Sequence, residues 1–250
     1  MIGPVNFAPF DAQGWSPSAI RREMHQIRIG PPRTLRAVVV HTTDMSPRSF
    51  DALVKSWTTT PGECARRGVG AHFLIGRTPE QGVVQLASVL NKTAHAGGKS
   101  AGYWLLHDPA EEQGSSINPN DIAVGIEVHN AGELRRVNGR WCQVERINGK
   151  PVAGKWTCPD EDVEVDSRLP TRGWHKTTQY QLEVLGPLLQ MLDRTMPPLP
   201  IGSIARPRTG ECALWQQTQS ARVVGHCSLD PTRKSDPWPP LMRWLADQGW

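Results

Sequence analysis

The stretch Leu35-Arg36-Ala37-Val38-Val39-Val40-His41-Thr42-Thr43 contains the longest aliphatic run of the chain. A run of β-branched aliphatic residues bounded by turn residues is typical of a strand that is covered on both faces. We therefore predict a buried strand over residues 35–41. His41 ends this strand, and a side chain in that position projects from a rigid support into a cleft.

Further strands are predicted on the C-terminal side of this run. Residues 72–75 and 83–86 are apolar segments joined by a turn that contains Pro and Gly, which predicts an antiparallel hairpin. Residues 121–128 form another continuous apolar run, which predicts a second buried strand.

Apolar residues recur at spacings of three and four in two other segments, and this pattern predicts helices. Ser46 or Ser49 is expected to cap the first helix, and Thr177 or Thr178 the second. Pro187 falls inside the second helix and should kink it or begin a new one. Because strands, loops and helices alternate, the sequence predicts an α/β fold with a mixed central β-sheet flanked by helices.

The sequence pattern changes after residue 132, where short strand-forming segments replace the longer apolar runs. Two Asn-Gly pairs, at residues 138–139 and 148–149, lie between short segments of strand-forming residues. Asn-Gly between such segments is a strong signal for a hairpin, so we predict a β-rich insertion over residues 133–173. One domain over residues 1–250, with an N-terminal extension at 1–34 and this insertion, accounts for the length better than two domains do.

Composition excludes several classes of protein. The chain has 28 Lys and Arg against 24 Asp and Glu, a balance that argues against a dedicated nucleic-acid arm, so no nucleic-acid partner is expected. The aliphatic run at residues 37–40 is far shorter than the roughly 18–20 apolar residues that span a bilayer, so no membrane insertion is expected. The first residues show no basic segment followed by an apolar one, which predicts a protein that is cytoplasmic as synthesised.

The cysteines and histidines are the candidate ligands and nucleophiles. The five cysteines, at positions 64, 142, 158, 212 and 227, are widely spaced and odd in number, so free thiols are the default and one distant pair stays open. His41, His95 and His226 follow strands or lie in Gly-rich loops. Taken singly, each of these histidines is more often an ordinary hydrogen-bonded residue than a metal ligand.

A block near the C-terminus favours a metal-binding role for these histidines. It reads Gly225-His226-Cys227-Ser228-Leu229-Asp230-Pro231-Thr232-Arg233-Lys234-Ser235-Asp236-Pro237. It resembles the signature of the zinc-dependent N-acetylmuramoyl-L-alanine amidases of the type 2 family, whose fold is shared by the peptidoglycan recognition proteins. Matching segments occur in the expected order at residues 37–43, 70–75, 93–97 and 120–127. The resemblance covers residues 33–130 and 176–245 and implies an amidase-like fold.

The resemblance implies a Zn²⁺ site formed by His41, His226 and Asp236. Two imidazoles and one carboxylate bind zinc at roughly 2.0–2.2 Å and leave a fourth position for water. In many relatives the third ligand is a cysteine. Cys227 is adjacent to His226, however, so we expect its side chain to point away and to act as a small buried residue.

The resemblance also implies catalytic roles for Glu127 and Lys234. Glu127 could accept a proton from the attacking water, with the orientation of a zinc-binding histidine as the alternative. Lys234 lies two residues before Asp236 and could stabilise the oxyanion, with a solvated surface lysine as the alternative.

Three residues are predicted to bind substrate. His95 matches the His-Ala-Gly loop that lines the groove of the family, where it is a groove or structural residue. Arg77 lies on a hairpin turn and could bind a carboxylate, and Trp104 could stack on a sugar face. Arg77 is explained equally well as a solvated surface charge, and Trp104 as a residue packed in the core.

The implied reaction is hydrolysis of the amide bond between the lactyl group of N-acetylmuramic acid and L-alanine, in peptidoglycan or in muropeptides. A non-catalytic peptidoglycan-binding recognition protein is the first alternative. A second is a structural or partner-binding module, in which the insertion at residues 133–173 contacts an inhibitor or a delivery partner. A recycling enzyme, a phage endolysin and a toxin delivered to the periplasm or cell wall all stay open.

Overall fold

The structure is a computed structural model that describes residues 6–24, 35–59, 70–96, 118–147, 150–165, 172–197, 222–229 and 236–250. Lys234, Trp104 and the second Asn-Gly pair, on which predictions were made, lie outside these residues. Among the described residues, no helix is long and apolar enough to cross a membrane.

The main sheet carries six strands in the described part of the chain, in the order β1-β4-β3-β5-β2-β11. They are β1 (Ile20–Arg21), β2 (Ala37–Thr42), β3 (Phe73–Ile75), β4 (Val83–Gln85), β5 (Ala123–Val128) and β11 (Val223–Gly225). β2 is parallel to both β5 and β11, and β3 is parallel to β5 but antiparallel to β4. The predicted mixed central sheet is confirmed.

The described helices are α1 (Phe50–Thr58), α2 (Pro119–Ile122), α3 (Gln179–Thr195), α4 (His226–Leu229) and α5 (Pro239–Asp247). Thr178 caps α3 through a reciprocal pair of hydrogen bonds with Gln181. Ser46 caps a single turn of 3₁₀ helix, Pro47–Ser49, that leads into α1. The α3 helix continues through Pro187.

The two faces of the main sheet are covered differently. Val38 and Val40 of β2, with Ile126 of β5, pack in one cluster with the leucines of α3 and α5. On the other face, Leu74 packs with Phe50 and the other apolar residues of α1. Because side chains alternate along a strand, His41 points to the same face as Ala37 and Val39, away from α3.

A second, antiparallel sheet lies in the order β8-β7-β6-β10-β9. Its strands are β6 (Glu133–Val137), β7 (Arg140–Ile147), β8 (Lys150–Cys158), β9 (Val163–Val165) and β10 (Gly173–His175). Asn138 and Gly139 both have positive φ, of 50° and 79°, as the predicted two-residue hairpin turn requires. These strands lie within the predicted insertion except for β10, which runs two residues beyond it.

Polar contacts attach the second sheet to the main one. Arg77 donates from Nη1 to the carbonyl of Lys176 at 3.0 Å, and Asn130 donates to the carbonyl of His175 at 2.9 Å. Gln143 donates from Nε2 to the carbonyl of Asp44 at 2.6 Å. Only residues 129–132 separate β5 from β6, so the second sheet begins directly beyond the strand that carries Glu127.

His175 is buried at this junction and is held neutral. Its Nδ1 accepts from the backbone N–H of Ala131 at 3.2 Å and from Arg77 at 3.3 Å. Burial, and then the positive charges of Arg77 and His129, lower the pKa of His175 from 6.5 to about 3. Between pH 6.5 and 3, His175 therefore binds a proton in the unfolded chain but not in the folded chain.

We expect the free energy of unfolding to fall as the pH is lowered from about 6.5 toward 3, and the His175→Asn variant to flatten this dependence by up to about 1.4 kcal/mol per pH unit. The asparagine oxygen can still accept from Ala131 but does not titrate. Urea unfolding of both proteins at a series of pH values measures the difference. Equal slopes for the two proteins would contradict a neutral His175.

Candidate metal and catalytic site

Three side chains converge at the carboxyl ends of β2 and β11. His41 is the second-last residue of β2, and His226 follows β11 directly as the first residue of α4. Since β2 and β11 are parallel neighbours, their ends bring these two histidines together. Asp236 is held at the same place because its carbonyl accepts from the N–H of Cys227 at 2.6 Å.

The three candidate ligand atoms form a small triangle. His41 Nδ1 and His226 Nδ1 are 3.0 Å apart, and Asp236 Oδ2 lies 3.1 Å from the second and 3.3 Å from the first. All three residues are buried. Tetrahedral zinc with bonds of about 2.0–2.2 Å separates its ligand atoms by about 3.3–3.6 Å, so the triangle is close to the size the ion requires.

The chemistry of these donors also fits zinc. Two imidazole nitrogens and one carboxylate oxygen are a common ligand set of catalytic zinc sites, whereas Mg²⁺ and Ca²⁺ prefer oxygen ligands alone. Burial by itself would raise the pKa of Asp236, but its contacts with His226, and then with His41, hold that pKa below its usual range. The carboxyl group is therefore held as the anion, the form that binds a metal.

Glu127 lies beside His41, the first candidate ligand. It is the register partner of His41 in the parallel β2–β5 pair, so both side chains leave the sheet on the same face. The residue is half-buried, and its Oε2 atom is shielded from solvent. The carboxylate of Glu127 therefore lies next to the candidate ligand His41, on the buried strand β5.

His95 lies behind His41. Its Nδ1 is 3.0 Å from His41 Nε2, and its Nε2 is 3.2 Å from the carbonyl oxygen of Ala123. The residue is only 6% exposed. Both ring nitrogens thus contact protein atoms, which gives His95 a structural position next to a candidate ligand.

Arg77 is half-buried, and its contacts run to the second sheet. Its guanidinium binds the carbonyl of Lys176 and the ring of His175. Burial lowers the pKa of Arg77, and the negative charge of Asp162 opposes that change. The described contacts of this arginine join the two sheets, which sequence reasoning did not anticipate.

The comparison with protein families identifies the chain. The family model described as N-acetylmuramoyl-L-alanine amidase matches residues 31–239, a stretch that includes all three candidate ligands. The chain belongs to the N-acetylmuramoyl-L-alanine amidase family. It is thus an enzyme of peptidoglycan amide hydrolysis, as the resemblance predicted.

Among the solved structures compared, AmpD resembles this amidase in fold. A selenomethionine derivative of AmpD matches with 21% identity and a TM-score of 0.51, over 96% of this chain and 98% of that one. AmiD from E. coli, in complex with its substrate anhydro-N-acetylmuramic acid-L-Ala-D-γ-Glu-L-Lys, matches with 20% identity and a TM-score of 0.47, over 96% and 65%. The AmpD match confirms the amidase-like fold. A comparison with curated protein sequences finds no match.

The cysteines of the amidase differ in state. Cys227 is disulfide-bonded, so the default of free thiols does not hold at this position and the alternative of a disulfide, which the sequence left open, does. Its sulfur is therefore not available to a metal. Cys142 and Cys158 are free and buried, and burial, followed by the charge of Asp162, raises the pKa of Cys158 to about 12.

Proposed function

We propose that this amidase is zinc-dependent and that His41, His226 and Asp236 hold the ion. The triangle of buried ligand atoms, 3.0–3.3 Å apart, is the observation that carries the proposal. When bound, zinc supplies a Lewis acid that polarises the scissile carbonyl and makes a water molecule acidic enough to attack it at neutral pH. The remaining steps depend on side chains of the chain itself.

Glu127 is proposed as the general base. A carboxylate beside the ligand group can accept the proton of the attacking water and can return it to the leaving amine of L-alanine. Its position on β5, in register with His41, supports this role because the two side chains leave adjacent strands on the same face. The rigid sheet keeps the base oriented throughout the reaction.

The proposed substrate is the amide bond that joins N-acetylmuramic acid to L-alanine, in peptidoglycan or in muropeptides released from it. The test is mass spectrometry of the products from intact sacculi and from soluble anhydro-muropeptides, digested side by side. We expect stem peptides with a new N-terminal alanine from at least one substrate. Failure to release alanine termini from either would favour the non-catalytic recognition protein.

Lys234 is proposed to stabilise the oxyanion that forms on the attacked carbonyl. This proposal depends on the sequence, in which Lys234 lies two residues before Asp236. We expect Lys234→Ala to keep stoichiometric zinc and to lower kcat by about 10²–10³-fold, the usual cost of removing one such donor. Metal analysis and steady-state kinetics on a muropeptide measure the two effects. Loss of zinc by this variant, or unchanged kcat, would contradict the role.

A further inference from the structure

The ring of His95 is placed between a backbone carbonyl and a proposed zinc ligand. On one side its Nε2 is 3.2 Å from the oxygen of Ala123, and on the other its Nδ1 is 3.0 Å from Nε2 of His41. The His95 and His41 rings are almost perpendicular, with an interplanar angle of 89°. Three groups are therefore linked in a row that ends at the ligand triangle.

The positions of the protons follow from the one group in this row that cannot donate. A carbonyl oxygen only accepts, so Nε2 of His95 must carry the hydrogen that points to Ala123. A histidine that binds a metal must be neutral. With both rings neutral, each imidazole has one N–H, so Nδ1 of His95 accepts and Nε2 of His41 donates to it. The remaining nitrogen of His41, Nδ1, then presents a lone pair.

We propose that His95 is a positioning residue that fixes His41 in the tautomer and orientation in which Nδ1 can bind the metal. Nδ1 is the His41 atom in the ligand triangle, 3.0 Å from His226 Nδ1 and 3.3 Å from Asp236 Oδ2. The proposal rests on the zinc site proposed above and adds the residue that prepares its first ligand. Of the two roles that the sequence left open for His95, in the groove or in the structure, the proposal favours the structural one.

The second histidine ligand has no matching arrangement in the described part of the chain. Nε2 of His226 is buried, and no described residue forms a hydrogen bond with it. The row from Ala123 through His95 therefore serves one ligand specifically. This asymmetry indicates that His41 is the ligand oriented before the ion arrives.

His95 itself is held against β5. Its backbone N–H and that of Ala96 both donate to Oδ1 of Asn120, at 2.9 and 2.8 Å. Gly125 provides the space for the ring, because a Cβ at this position would lie 2.5 Å from Cγ of His95. The lack of a side chain at residue 125 is thus required for the position of His95.

The test compares His95→Asn with His95→Leu, two side chains of nearly equal shape. The asparagine oxygen occupies a position close to that of Nδ1 and can accept from His41, whereas leucine cannot. We expect His95→Leu to weaken zinc binding by about 10–100-fold, as loss of a partner of a ligating histidine does, and His95→Asn to restore most of the affinity. Chelator competition gives the zinc Kd, and the visible spectrum of the Co²⁺-substituted proteins reports ligand geometry. Thermal unfolding of the metal-free proteins tests whether each variant folds.

Each outcome bears on one proposal. Zinc affinity of His95→Leu equal to that of the wild type would overturn the positioning role. Equal losses in the Asn and Leu variants would also overturn it, since the accepting atom would then have no effect. A wild-type protein that binds no zinc would instead overturn the proposed metal site. In Gly125→Ala the added methyl group should displace the ring, and we expect a loss of zinc affinity similar to that of His95→Leu.

Discussion

Replacement of Asp236 by alanine is expected to abolish zinc binding and amidase activity together. The carboxylate is the only anionic group in the ligand triangle, and it contacts both histidines. Without it two neutral imidazoles remain, which hold the ion far more weakly. A bound Lewis acid lowers the activation barrier by several kcal/mol, so we expect its loss to reduce the rate by about 10³-fold or more.

Metal analysis of the purified variant and hydrolysis of a muropeptide measure the two losses. Asp247→Ala is the matched control, since Asp247 is exposed at the end of α5, and it should keep both zinc and activity. Full activity of the metal-free wild-type protein in excess chelator would contradict the zinc-dependent mechanism. Circular dichroism of metal-free Asp236→Ala separates loss of the ligand from loss of the fold.

The Glu127→Gln variant is expected to keep its zinc and to lose most of its turnover. Glutamine has the shape of glutamate but cannot accept a proton, and removal of a general base lowers kcat by about 10²–10⁴-fold. The substitution is on β5, beside His41 in the register, and replaces none of the three residues of the ligand triangle. The kcat of the variant should therefore fall with little change in KM or in zinc affinity.

This result would also decide between the two roles that the sequence left open for Glu127. A carboxylate that only orients a zinc-binding histidine predicts a loss of zinc affinity in Glu127→Gln, with turnover recovering at saturating zinc. A general base predicts low turnover at every zinc concentration. Recovery at high zinc would contradict the base and support the orienting role.

The sequence predicts well those features that depend on neighbours along the chain. The aliphatic run before His41 predicted β2, the Asn-Gly pair at residues 138–139 predicted a hairpin, and Thr178 was one of two residues expected to cap α3. Each depends on local backbone preference and on alternation of apolar residues. The family itself was evident because its motifs occur in a fixed order.

Other features depend on contacts between distant segments, and the sequence did not predict them. The contact between His41 and His95 depends on how the segment before residue 97 packs against Gly125. Spacing alone does not determine which cysteines form a disulfide, so the sequence left one distant pair open without assigning Cys227 to it.

The attachment of the second sheet limits how this amidase can be dissected. Gly132, with a φ of 73°, packs where any Cβ would lie 2.5 Å from both Asp44 and Trp238, and Asn130 and Gln143 bind backbone groups on the opposite side of the junction. A deletion of residues 133–173 would remove the contact of Gln143 with the carbonyl of Asp44. It would also take away β6 and β9, the two strands that pair with β10, although Asn130 still binds the carbonyl of His175. The extra sheet is therefore not a detachable module, and a minimal version of this enzyme would need a redesigned junction rather than a shorter loop.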